Sequence, residues 1–167
     1  ALGDDTWDLV VDTWSQEPVR VQESARLLSG RAGHYGYVSS RSVYEWPWGR
    51  DESAPVVVGN PSSAQAGDYA ADKRGAELAL GDFAGPTLIA RAGLVLGPYE
   101  VVGRLPWWLA RIARGDRVPA PGPPERPLQY IDARDLAAWM LSAGESGLAG
   151  TFNAVSPTGH TTTAELL

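Results

Sequence analysis

The chain has 167 residues, 44% of them hydrophobic and 20% charged, with no cysteine and a formal net charge of −6. That length suits about one domain with a real core, the composition excludes a disordered chain, and the missing cysteines exclude disulfides and thiolate metal sites. The acidic balance counts against a nucleic-acid partner, which needs clustered Lys and Arg; no apolar run reaches the roughly 18–20 residues of a membrane span, no secretory leader opens the sequence, and the expectation is a cytoplasmic protein with no membrane partner.

The first element is Trp7–Trp14, a short apolar run that suits a strand buried on both faces. Pro18 then opens a helix, with Val19, Val21, Ala25, Leu27 and Leu28 at roughly helical spacing up to Gly30–Gly33. Tyr37–Ser40 reads as a second strand, and a polar, Pro/Gly-rich loop covers about 45–67. Residues 68–82 read as a helix, Thr87–Arg91 as a third strand ending at Gly93, and 105–114 as a helix stopped by Gly115. Ala120–Pro127 holds four prolines and is a loop. Gln129–Ile131 is a short strand, Arg134–Ala143 a helix with Ala137, Met140 and Leu141 on one face, and Thr151–Ala154 a further strand. Thr161–Leu167 starts another helix. Strands alternating with helices predict an α/β fold with a mostly parallel sheet and flanking helices.

The chemistry sits at Tyr69-Ala-Ala-Asp-Lys73. Positions i and i+4 of a helix share a face one turn apart. An ammonium near a phenol favours the phenolate and turns Tyr69 into a general acid/base near neutral pH. Of the fourteen Lys and Arg in the chain, Lys73 is the only lysine. A planar guanidinium could not replace it in tuning a phenol. The plainer reading is a surface tyrosine beside a Lys73–Glu77 helix pair. Ser39 and Ser40 stand at the end of a strand, where α/β proteins place their sites, and a hydroxyl there can orient a substrate oxygen.

These residues, in order, resemble the extended short-chain dehydrogenase/reductases, which include the NAD-dependent epimerases and dehydratases. The segments are Ser39-Ser40-Arg-Ser-Val43-Tyr44, Tyr69-x-x-x-Lys73, Arg91-Ala-Gly93-Leu-Val-Leu-Gly97-Pro98 and Ile131-Asp132-Ala-Arg-Asp135-Leu-Ala. The resemblance implies a Rossmann-like fold and NAD or NADP as cofactor. It implies Ser40, Tyr69 and Lys73 as the catalytic set. It places Thr13, Trp14, Ser39, Tyr69, Lys73, Ala92, Gly93 and Leu94 along the cofactor. Arg104, Arg126 and Gln129 flank the Pro-rich loop where the family meets its substrate. The implied activity is oxidoreduction, epimerisation or dehydration at a hydroxyl or carbonyl of a small molecule, and a homodimer would follow the family. Residues 1–98 would be the central part of the dinucleotide-binding domain, and 99–167 the start of a substrate lobe with returning Rossmann elements.

The pattern departs from the family at its opening: the first βαβ units, with their strand, Gly-rich loop and helix, are missing from this sequence. Gly30-x-x-Gly33-x-x-Gly36 follows a helix and precedes a strand, the wrong order for a pyrophosphate cradle, and reads as a helix C-cap and connection. On this ground a piece of a longer protein is expected, and a non-catalytic binding or regulatory module, for RNA or a dinucleotide, is the alternative. His34 and His160 are too few and too far apart for a metal site or a triad, and no Gly-x-Ser-x-Gly elbow is present. Trp46, Trp48, Trp107 and Trp108 either line a substrate pocket or pack sheet edges. Asp132 reads as the cap of a strand-to-helix turn.

Overall fold

The computed structural model describes residues 2–47, 51–115 and 117–167. They fall into two compact units, Ala1–Ala92 with Ala138–Asn153, and Gly93–Ala137 with Ala154–Leu167.

The first unit is built on a four-stranded sheet in the order β1-β2-β3-β7, where β1 is Val10–Asp12, β2 Tyr35–Ser40, β3 Thr87–Ala92 and β7 Gly150–Ala154. The β1–β2 and β2–β3 pairs are parallel, and the register sets Asp12 beside Tyr37, Ser39 beside Arg91 and Ser40 beside Ala92. The central strand β2 is covered on both faces, as a parallel sheet requires. On one face α1 (Pro18–Leu28) and α2 (Tyr69–Ala79) close the core, in which Val21, Ala25, Leu28, Tyr35, Ala76, Ala79 and Phe83 are buried. The spacing 21, 25, 28 is one helical stripe; Leu27, off that stripe, is exposed. On the other face the later half of α4 (Ala133–Glu145) lays Met140 against Gly36, where a Cβ would come within 3.1 Å of the methionine methyl. Leu9 fills the space that Gly144 leaves open.

Two sequence expectations need correction. The buried residues of α4 are Leu136, Met140 and Ala143, while Ala137 and Leu141 face outward. The stripe follows i, i+4, i+7, and contact with Gly36 selects it over the neighbouring one. The first strand is shorter than expected because the backbone turns at its end, where the Trp14 amide donates to Asp12 Oδ1 at 2.7 Å. Trp7 retains only an isolated bridge to Ala32. Gly30 takes a left-handed φ of +76° just past α1, as a helix end requires, so residues 30–34 are the connection predicted, while Gly36 lies inside β2.

The second unit holds β4 (Leu94–Leu96) parallel to β6 (Tyr130–Asp132), and β5 (Pro127–Leu128) antiparallel to β8 (Thr161–Thr162). The sequence did not mark β4, β5 or β8 as strands, because each is a ladder of two or three residues whose partner lies more than 30 residues away. Its helices are α3 (Arg104–Ala113) and α5 (Thr163–Leu166). Glu100 caps α3, its carboxylate accepting from the amides of Arg104 at 2.7 Å and Leu105 at 3.2 Å. Thr162 and Glu165 form a capping box on α5. Among the described residues no helix is long and apolar enough to cross a membrane, and no cluster of His, Asp and Glu could hold a metal ion.

Candidate active site

The first unit presents its chemistry at the carboxyl ends of β1 and β2. Asp68 caps α2 by accepting from the Ala71 amide at 2.8 Å, and Asp72 accepts from the Gly67 amide at 2.8 Å. These contacts fix where the helix begins and make Tyr69 its first residue, half-exposed. One turn on, Lys73 is buried. Helix α2 packs against β2 and the 3-10 turn 41–43 that follows it, which brings the Tyr69–Lys73 helix alongside the strand carrying Ser39 and Ser40.

Lys73 Nζ donates to the Val38 carbonyl at 2.7 Å, the Trp14 carbonyl at 2.9 Å and Tyr37 Oη at 3.1 Å. Tyr37 Oη in turn donates to the same Trp14 carbonyl at 2.9 Å. One helix side chain thus ties together the ends of two adjacent strands. Burial lowers the Lys73 pKa to about 8, against the opposing pull of Asp12 and Glu77. Burial, helped by Asp12, pushes the Tyr37 phenol well above its ordinary value, so it stays protonated.

Ser40 Oγ accepts from the Ser42 amide at 3.1 Å, which leaves its O–H to donate elsewhere. Ser39 turns inward and donates to Glu77 Oε1 at 2.7 Å. Arg91 clamps Glu77 with two bonds of 2.9 Å, and Arg74 Nη1 adds a third at 2.9 Å. Burial would raise the Glu77 pKa, but bonds from Arg91 and Ser39 outweigh it and hold the carboxyl below its ordinary value. Glu77 therefore does not pair with Lys73, although it lies four residues on. The parts missed by sequence reasoning are Tyr37, the Glu77–Arg91 clamp and the Trp14 carbonyl. An acidic residue one turn beyond Lys73, on the face that buries it, was the available signal for Glu77; nothing local announces Tyr37.

Beside this cluster a cleft of about 390 Å³ opens at the end of β1, lined by Asp12, Thr13, Trp14, Ser15, Gln16 and Ser24. It is polar and sits where ligands bind in parallel α/β sheets. Ala92 ends β3, buried, beside Ser40. Within the second unit, the Gly93 amide donates to the Ala154 carbonyl at 3.0 Å, and Leu94 begins β4. Arg104 and Arg126 both border a cavity of about 500 Å³ with Trp107 and Trp108, whereas Gln129 donates its amide to the Ser156 carbonyl at 2.7 Å. Asp132 accepts from the Arg134 amide at 2.8 Å, the expected cap. His34 is buried, a packing residue, and the His160 ring meets Tyr130 edge to face at 5.6 Å. Trp46 is exposed, and Trp48 lies outside the described residues.

A parallel sheet with flanking helices and a site at its strand ends defines the Rossmann-like class. No protein-family model and no curated protein sequence matches the chain. Solved structures do. A candidate epimerase from Burkholderia cenocepacia J2315 is 26% identical with a TM-score of 0.66, over 89% of this chain and 49% of that one. WbmH of Bordetella bronchiseptica, solved with NAD+, is 19% identical with a TM-score of 0.69, over 95% of this chain and 55% of that one. The human epimerase family protein SDR39U1, solved with NADPH, is 20% identical with a TM-score of 0.65, over 95% and 59%. The chain therefore has the fold of the NAD-dependent epimerase/dehydratase and short-chain dehydrogenase structures, and it spans about half the length of those it matches.

Proposed function

We propose that this chain carries the catalytic elements of an NAD(P)-dependent enzyme of the epimerase/dehydratase or reductase type, acting on a hydroxyl or carbonyl of a small molecule. The observation that carries the reading is the sole lysine, drawn into the strand ends one turn from a half-exposed tyrosine. The polar cleft at the end of β1 fits part of a dinucleotide: Asp12 and the Thr13 and Ser24 hydroxyls suit ribose hydroxyls. When bound, the nicotinamide supplies a two-electron hydride acceptor or donor. Within the first unit, Thr13, Trp14 and Ser39 at the ends of β1 and β2, and the backbone of Ala92 at the end of β3, are the residues that would hold it.

Within this reading Tyr69 Oη takes the proton from a substrate hydroxyl, or returns it to a carbonyl. Ser40 donates its free O–H to the same substrate oxygen and orients it. Lys73 supports the phenolate with its charge and turns one of its hydrogens toward the ribose. Ser39, tied to Glu77, acts through its backbone and through holding the strand end in place. Net oxidoreduction and epimerisation or dehydration through a transient ketone are both open to this set.

Since Lys73 is the only lysine, its ε-methylene resonance reports directly on the site. NAD+ or NADPH at millimolar concentration should shift that resonance saturably, and Tyr69→Phe in the intact protein should abolish turnover while leaving the shift. A resonance unmoved by either coenzyme overturns the reading. A second reading, a binding module without catalysis, is favoured by one observation: all three Lys73 hydrogens already meet protein acceptors. A resonance that shifts with coenzyme in an intact protein that shows no turnover even with Tyr69 in place would select it.

A further inference from the structure

The cavity of about 500 Å³ in the second unit has a composition that narrows its ligand. Its volume lies in the range of roughly 300–1,000 Å³ typical of small-molecule sites. Apolar residues make up most of its wall, among them Leu94 and Leu96 of β4, Trp107 and Trp108 of α3, and Leu128 and Leu166. Helix α3 buries none of its residues within the chain, so Trp107 remains half-exposed, its ring 4.8 Å from that of Trp108 and edge-on to it. An apolar wall this open, carried by a capped helix, is suited to covering a flat apolar body.

Two guanidiniums interrupt it. Arg104 and Arg126 border the cavity, and neither side chain meets an acceptor among the described residues. Glu100 is committed to the amides of Arg104 and Leu105 and Glu165 to the Thr162 capping box, while Glu125, next to Arg126 in the sequence, forms no ion pair with it. Arg126 is positioned by its backbone, whose amide donates to Pro123 and whose carbonyl accepts from Thr163, both at 3.0 Å. Gly122, at φ +74°, makes room for its head, since a Cβ there would come within 3.0 Å of the guanidinium carbon. Apart from the two indole N–H groups, the other polar side chain lining it is Thr163, which directs its hydroxyl at the Arg126 carbonyl, at 3.4 Å. A sugar or a nucleobase would bring several hydroxyl or amide groups into a wall with almost nothing to satisfy them, which costs about 1–3 kcal/mol for each group left unpaired.

We infer that this cavity binds a small amphiphile, an apolar and preferably aromatic body bearing one anionic group, with Arg104 and Arg126 receiving the anion and Trp107 and Trp108 the body. Only the naming of this ligand as the substrate rests on the function proposed above; binding itself does not. The test uses two fluorescent probes that share one ring system, 1-anilinonaphthalene-8-sulfonate and the uncharged N-phenyl-1-naphthylamine, titrated against the full chain. The sulfonate should saturate at one per chain and bind about tenfold more tightly than the neutral probe, as a charge-assisted contact implies. Arg126→Gln and Arg104→Gln should each weaken the sulfonate about tenfold and leave the neutral probe unchanged. Equal affinities for the two probes, or variants without effect, overturn the inference. So does displacement by uridine diphosphate, which would mark a nucleotide site, or light scattering that shows a second copy of the chain excluding the probe. The Lys73 resonance reads the first unit and the probes the second, so either proposal fails without the other.

Discussion

Replacing Glu77 by leucine isolates the contribution of the buried clamp beneath the ends of β2 and β3. The carboxylate is 4% exposed and accepts bonds of 2.7 to 2.9 Å from Ser39, Arg91 and Arg74. Arg91 is 5% exposed and lies over the Tyr44 ring at 4.8 Å, so it has no route to water when its partner goes. Removing one member of a buried pair costs about 3–5 kcal/mol because the other charge is left uncompensated. Against a total stability of about 5–15 kcal/mol this is a large fraction. With a urea slope of about 1–3 kcal/mol/M, the unfolding midpoint should fall by more than about 1 M. The double variant Glu77→Leu/Arg91→Met removes both charges and should recover most of the loss, because apolar replacements of a buried pair are often close to neutral. Urea unfolding of the wild type, both single variants and the double variant closes the cycle. A single-variant loss below about 1 kcal/mol, or losses that simply add, would refute the clamp as an interacting buried pair.

Two further outcomes follow from geometry already described. With the Lys73 pKa lowered from 10.5 to about 8, the unfolded chain holds a proton in that interval that the folded chain has released. Stability should therefore rise with pH between about 8 and 9.5, by about 1–2 kcal/mol, below the range where the tyrosines titrate. Lys73→Met should remove that rise, and a lysine resonance titrating near 10.5 in the folded protein would contradict the assigned burial. Gly75→Ala should destabilise the protein by about 1–3 kcal/mol although alanine is the better helix former. A Cβ at Gly75 would stand 2.6 Å from the Asn60 carbonyl and 2.8 Å from the Pro18 ring; a higher melting temperature in the variant would show that loop and helix can separate at no cost.

Much of the first unit was legible because its signals are local. Pro18 at a helix start, the 21, 25, 28 stripe and the strand read at 37–40, which the structure begins two residues earlier, each act within one element. The Tyr69–Lys73 helix was legible for the same reason, one turn on one face. What escaped was set by distant partners. Whether Met140 or Leu141 faces inward depends on Gly36, more than 100 residues earlier. The destination of Lys73 depends on a phenol 36 positions away. Glu77 was within reach of Lys73 along the helix, yet the Arg91 fork, across the sheet, offers two parallel bonds and captures it.

The cluster around Trp14 also has a proton count. Three hydrogens on the Lys73 ammonium and one on Tyr37 fill four bonds, two of them ending on the Trp14 carbonyl. Loss of one proton near pH 8 leaves three hydrogens for four gaps. The doubly served carbonyl is the acceptor that can give up a donor without being orphaned, and Trp14 lines the cleft at the end of β1. Deprotonation thus leaves one acceptor position open on the carbonyl of a residue that also lines the cleft.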